Sequence, residues 1–134
     1  MSATSEISAA TVAFLAEKIP VTVGTTRKDG TAKLTTAWYE YRDGEFWLNS
    51  WRGSDWLGHI ERDGKAELLF VDPTNMWRRV VVRATLIETD DPGGEASIDR
   101  LSNRYLGTDY RDRSRQRVLI RLQPVDVRST IDQS

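Results

Sequence analysis

Apolar positions alternate with polar ones in several short runs of this chain, and recur at helical spacing in others. Val21–Thr26 reads as a strand, and Thr31–Tyr41, rich in Thr, Tyr and Trp, as a second. Arg27-Lys28-Asp29-Gly30 between them is a turn, because Asp-Gly accommodates the positive φ of a tight hairpin. A second Asp-Gly turn, Arg42-Asp43-Gly44-Glu45, leads into Glu45–Ser50, with Phe46 and Leu48 on one face and Trp47 and Asn49 on the other. Lys65–Val71 places Ala66, Leu68 and Phe70 on one side. Trp77–Glu88 does the same with Val80, Val82, Ala84 and Leu86, against Arg79 and Arg83. Val118, Ile120 and Leu122 define a last strand, which Val125–Arg128 extends past Pro124.

Three segments carry helical spacing. Ser5–Lys18 has Ala10, Phe14 and Leu15, a cap at Ser5 or Ser8, and Pro20 as its stop. Ser54 caps a short helix running to Arg62, with Leu57 and Ile60 one turn apart. Glu95–Leu106 sets Ile98, Leu101 and Tyr105 on a stripe and ends at Gly107. Direct hairpins imply antiparallel pairing, and regular β–α alternation is missing. The pattern therefore predicts a mainly β protein: one domain over residues 1–134, a six-stranded antiparallel barrel, closed or nearly so, with short flanking helices.

Composition narrows the chemistry. The 134 residues hold no Cys and one His, His59, which excludes disulfides and thiolate metal sites and leaves little for a multi-His centre or a His relay; no metal is expected. Nineteen Lys and Arg against 20 Asp and Glu give a net charge of −1, which is not the footprint of a general nucleic-acid binder. No apolar run approaches the roughly 20 residues of a membrane span, and no secretory signal is visible, so a cytoplasmic location is expected. Five Trp stand out, because partly exposed indoles mark ligand sites and subunit interfaces.

Asn49-Ser50-Trp51-Arg52-Gly53-Ser54-Asp55-Trp56 joins a strand to a helix start. Backbone N–H groups there favour an anion, Arg52 offers a bidentate donor and Ser54 a hydroxyl, which together make a phosphate cradle. A plain turn, with Ser54 a cap and Arg52 a solvated charge, fits the same spacing. Thr35-Thr36-Ala37-Trp38 keeps a strand surface low enough for a flat ring, or is an ordinary barrel strand. Trp77 covers a ring at a barrel mouth or packs in the core. His59 reads as a surface or satisfied structural residue rather than a catalytic one. Asp29, Glu40, Asp55 and Glu61 show no catalytic pairing, and no catalytic residue is assigned. Arg111, Arg113, Arg115 and Arg117 form a basic run that is either a solvated loop or a contact for an anionic tail.

The order of Val23–Gly30, Leu34-Thr35-Thr36-Ala37-Trp38, Phe46–Ser54, Val71-Asp72-Pro73, Trp77, Arg83-Ala84-Thr85, Arg104-Tyr105-Leu106-Gly107 and Arg117–Arg121 resembles the pyridoxamine-phosphate-oxidase-like split β-barrel superfamily. Within it, the chain resembles the actinobacterial B-type flavin/deazaflavin oxidoreductases, which use coenzyme F420. The resemblance runs from about Phe14 to Ser129. It implies an FMN-binding split-barrel fold and a homodimer with two cofactors, F420 or alternatively FMN, in grooves between subunits. It implies that hydride passes from reduced deazaflavin to an unsaturated or conjugated small molecule. By position, Thr35, Thr36, Ala37 and Trp38 would lie beside the ring, Ser50, Arg52 and Ser54 would hold the phosphate, and Trp77 would pack near the cofactor. The chain departs from many relatives in having Trp56, Gly58 and His59 where they carry Lys, Arg and Asn. An indole cannot replace an ammonium as a phosphate donor, so Trp56, counted with the cofactor-binding positions, implies weaker cofactor binding, a different cofactor, or a wall of a bulky apolar substrate pocket. A non-catalytic carrier of a cofactor or hydrophobic ligand is the alternative of a different class.

Overall fold

The computed structural model describes residues 6–133. Helix α1 (Ala9–Leu15) precedes strands β1 (Val21–Thr26), β2 (Ala32–Ala37), β3 (Tyr39–Arg42) and β4 (Glu45–Trp51). Helix α2 (Asp55–Asp63) leads to β5 (Lys65–Asp72) and β6 (Asn75–Asp90), and α3 (Gly94–Leu106) to β7 (Arg117–Ser129) and a closing 3-10 turn at Ile131–Gln133. All strands form one antiparallel sheet in the order β2-β1-β5-β6-β7-β4-β3.

That order dictates the shape. β2 and β3 stand at opposite ends of the sheet, yet Trp38 alone joins them. A flat sheet of seven strands would hold its ends roughly 29 Å apart, at about 4.8 Å per strand spacing. Two Cα–Cα steps reach no more than about 7 Å. The sheet therefore curls until its edges meet at Trp38, which gives the split barrel. The expected single strand Thr31–Tyr41 is corrected to two, β2 and β3, and the strand count to seven.

The concave face is the core. Val21, Val23, Leu68, Phe70, Val80, Val82, Ile120 and Leu122 are fully excluded from solvent. Phe70 on β5 meets Tyr39 and Phe46, which lie on β3 and β4, with ring centroids 4.7 and 5.1 Å apart, closing the interior across the curl. Trp56, Leu57 and Ile60 of α2 and Phe14 and Leu15 of α1 plug it. Leu119, on the other face of β7, is buried with Ile98 and Leu101 of α3.

One helix expectation changes. α1 covers Ala9–Leu15 rather than Ser5–Lys18; Ser8 caps it by accepting from the Thr11 N–H at 3.1 Å, while Ser5 lies outside the described residues. Beyond its last turn, Arg104 donates to the Ala16 and Glu17 carbonyls, which satisfies acceptors the helix no longer pairs. Pro124 does not interrupt β7, because it sits where the β6–β7 register shifts, opposite Ala84, so its missing N–H breaks no regular ladder.

Candidate functional site

The curl leaves a split. β2 pairs only with β1, so its outer edge keeps unpaired backbone groups. Beside that edge opens a cleft of about 510 Å³, within the range of small-molecule sites. Lys33, Thr35, Thr36, Ala37 and Trp38 come to it from the β2 side; Asn49, Ser50 and Trp51 from β4; Asp55 and Trp56 from α2; Ile98, Leu101, Tyr110 and Arg117 from the α3 side. Six of the nine residues expected at the cofactor thus meet at one place: Thr35, Thr36, Ala37, Trp38, Ser50 and Trp56.

Each is fixed by a local cause. Trp38 stacks on Tyr105 at 5.4 Å with 8° between planes, and Tyr110 meets it edge-on at 6.3 Å. Trp56 is 95% excluded from solvent, leaving only part of its indole as cleft wall. The Thr35 hydroxyl oxygen is buried and has no hydrogen-bond partner. Such an atom is costly to leave unpaired, and of the five buried side-chain polar atoms without a partner among the described residues this is the one carried by a residue that lines the cleft.

The strand-to-helix corner differs from the expected cradle. Gly53 turns it with φ +102°, a conformation side chains rarely adopt. Ser54 holds the N-cap position, but its hydroxyl pairs with Ser50 Oγ at 2.6 Å and makes no cap hydrogen bond. Asp55 takes the Trp56 N–H instead, at 2.7 Å, and binds Lys33 Nζ at 3.0 Å. Lys33, as hydrogen-bond donor, holds the Asp55 carboxyl below its ordinary range, so the two charges cancel within the cleft. Arg52 points away: it donates Nε and Nη2 to Asp91 at 3.0 and 2.6 Å and Nη1 to Glu61 at 2.7 Å. Arg52, expected on a phosphate, is a clamp between α2 and the β6–α3 turn. Trp77 also lies off this cleft, 69% exposed, with Arg79 5.4 Å from its ring.

The other candidates are engaged elsewhere. His59 Nδ1 shares a 2.9 Å hydrogen bond with Thr25 Oγ1. Asp29 accepts from Thr31, Glu40 from Arg100, and Glu61 from Arg52 and Thr89. No cluster of His, Asp and Glu able to hold a metal ion occurs among the described residues. No helix among them is long and apolar enough to cross a membrane. Sequence reasoning missed Asn49, Trp51 and Tyr110 as cleft walls and did not separate Arg117 from its basic run. Alternation along β4 does place Asn49 and Trp51 on one face, but only the packing of α3 turns that face into a wall.

The residues fit a flat cofactor: an open strand edge, an unpartnered buried hydroxyl and aromatic walls converge on a cleft of suitable size. The fold with such a cleft defines a split-barrel protein. The family model for pyridoxamine 5'-phosphate oxidase matches residues 7–131, so the chain belongs to that family. Solved structures agree in fold. An F420 reductase superimposes with TM-score 0.79 at 19% identity, covering 87% of this chain and 94% of that one. A conserved hypothetical protein from Mycobacterium tuberculosis gives 0.66 at 23% identity, covering 90% and 86%. General Stress Protein 26 from Bacillus anthracis gives 0.68 at 13%, covering 88% of each. No curated protein matches in sequence.

Proposed function

We propose that this protein is an F420-dependent oxidoreductase that reduces an unsaturated or conjugated small molecule, with FMN as the alternative cofactor. The observation that carries the reading is the unpartnered Thr35 hydroxyl, buried on a residue that lines the cleft at the open β2 edge. The likeness in fold to an F420 reductase supports the same choice.

Thr35, Thr36, Ala37 and Trp38 would hold the ring by the hydroxyl, by edge N–H and C=O groups and by apolar contact. When bound and reduced, either cofactor supplies a hydride to the acceptor. The chain's part is to orient and to exclude water. Trp56, Ile98 and Leu101 give the cleft a dry floor, and the Trp38–Tyr105 stack fixes the indole wall. No side-chain nucleophile is needed, and the acidic residue that lines the cleft, Asp55, is held ionised by Lys33.

The reading includes a homodimer. Leu34, Met76, Trp77 and Val81 expose large apolar side chains, and Trp77 faces away from its own cleft, as a residue serving a second copy would. The test is equilibrium titration with F420 and FMN, followed by oxidation of the reduced cofactor against a panel of enones, quinones and tetrapyrroles. Tight FMN binding without F420 binding would reverse the cofactor choice. Binding without turnover would make the protein a carrier. Sedimentation at micromolar concentration checks the dimer.

A further inference from the structure

We infer that Arg117 receives an oxyanion, phosphate or carboxylate, carried by the ligand of this cleft. The inference rests on the reading of the cleft as a ligand site and adds the charge that site requires.

The cations around the cleft are accounted for one by one. Lys33 is neutralised by Asp55 at 3.0 Å, Arg52 by Asp91 and Glu61, and Arg113 by Asp99 at 2.9 Å and Glu95 at 3.4 Å. Arg117 lines the cleft and has no carboxylate within ion-pair distance among the described residues. Its Nε donates to Asn49 Oδ1 at 2.9 Å, and no hydrogen bond engages its two terminal nitrogens. The rings of Tyr110 and Trp51 lie 5.1 and 5.9 Å from its guanidinium carbon. Asp112 acts on it only through space, and its carboxylate is taken by Ser114. Arg115, 4.3 Å from the Trp51 ring, adds a second positive charge near Arg117.

A guanidinium in a partly desolvated place cannot relieve the cost by losing its proton. Asn49 and the two rings offset part of that cost, an anion would offset the rest, and a planar fork with two free ends matches a phosphate or carboxylate. The fork is also held in place. Asn49 anchors it from β4 while donating Nδ2 to the Gly94 carbonyl at 2.9 Å, which ties the arginine to the start of α3. Arg117 thus supplies a cation where Trp56 and the outward Arg52 leave none.

The experiment uses probe pairs that differ in an anionic group: FMN with riboflavin, F420 with its deazaflavin chromophore lacking the phosphate and the acidic tail beyond it, and cinnamate with cinnamamide. Affinities are measured by calorimetry for the wild type, Arg117→Gln, Arg117→Lys and Arg52→Gln. In at least one pair the charged member should bind the wild type about tenfold or more tightly than the neutral one. Arg117→Gln should shrink that ratio below about twofold and leave the neutral member's affinity in place, while Arg52→Gln keeps the ratio. Loss in the FMN pair assigns the cofactor phosphate, loss in the F420 pair alone assigns an anion of its phosphate-bearing tail, and loss in the cinnamate pair assigns an acceptor carboxylate. A preference that survives Arg117→Gln, or no charge preference in any wild-type pair, overturns the inference. If neither flavin nor deazaflavin binds but the cinnamate preference exists and depends on Arg117, the oxidoreductase reading falls and the anion site stands. Should Arg117→Gln fail to fold, Arg117→Lys decides: charge without the fork should lower the ratio, and an unchanged ratio overturns the inference.

Discussion

A Cβ placed on Gly94 would lie 2.0 Å from the Arg117 carbonyl oxygen and 2.6 Å from the Val118 nitrogen. The first turn of α3 therefore sits on the bare backbone of β7, at the residue that carries the cleft's unpaired cation. Gly94→Ala must push helix and strand apart. It should lower unfolding free energy by at least about 1–3 kcal/mol, the usual cost of overpacking, read from urea denaturation. Because the Gly94 carbonyl also holds Asn49, the same change should weaken the charged probes more than the neutral ones.

Gly58 is the opposite case. It lies within α2, and an added Cβ meets nothing within 4 Å. Gly58→Ala should raise stability by about 0.4–1 kcal/mol through the unfolded chain's lost freedom. A destabilised variant would mean that this face of α2 is covered in the assembled protein.

Arg52→Ala removes the clamp on Asp91 and Glu61. The side chain is 38% exposed, so screening keeps the loss below about 1 kcal/mol. Titration should show F420 or FMN affinity within about twofold of wild type. A tenfold loss would return Arg52 to the anion role that the sequence motif proposed for it.

Thr35→Val exchanges a buried hydroxyl that bonds nothing for a methyl of similar size. Thermal unfolding of the free protein should show unchanged or slightly higher stability, because an unsatisfied polar group is removed. Cofactor binding should weaken by about 0.5–1.5 kcal/mol, one hydrogen bond's worth. Equal affinities for the two proteins would take Thr35 out of the site.

Glu45 governs part of the acid limb. Hydrogen bonds from Arg121 at 2.8 and 2.9 Å, and then from Trp47 Nε1 at 2.8 Å, hold its carboxyl below the ordinary 4.5. A lowered folded value means that stability is full above 4.5 and is lost as pH falls through the folded value. Urea midpoints measured from about pH 5 down to about pH 3 should fall for the wild type and fall less steeply for Glu45→Gln. Identical slopes would show that the Arg121 contact contributes nothing to the acid response.

Local chemistry determined the strands and the family. Asp-Gly turns, alternation along Glu45–Ser50 and Lys65–Val71, and helical spacing at Leu57 and Ile60 all act over a few residues, so they are legible in the chain itself. They also brought Thr35, Trp38, Ser50 and Trp56 forward as candidates, although these lie up to 21 positions apart. The break at Trp38 was not legible, because it follows from where the two sheet edges meet and not from any residue preference at that position. Nor was the pairing of charges. Arg52 and Arg117 are the same residue type, each at the border of strand β4 or β7 and a loop. Only the tertiary structure decides that Asp91 and Glu61 close on the first while the second is left facing the cleft with Asn49. Which carboxylate reaches a guanidinium depends on distances between segments remote in sequence, and those distances exist only once the sheet has curled.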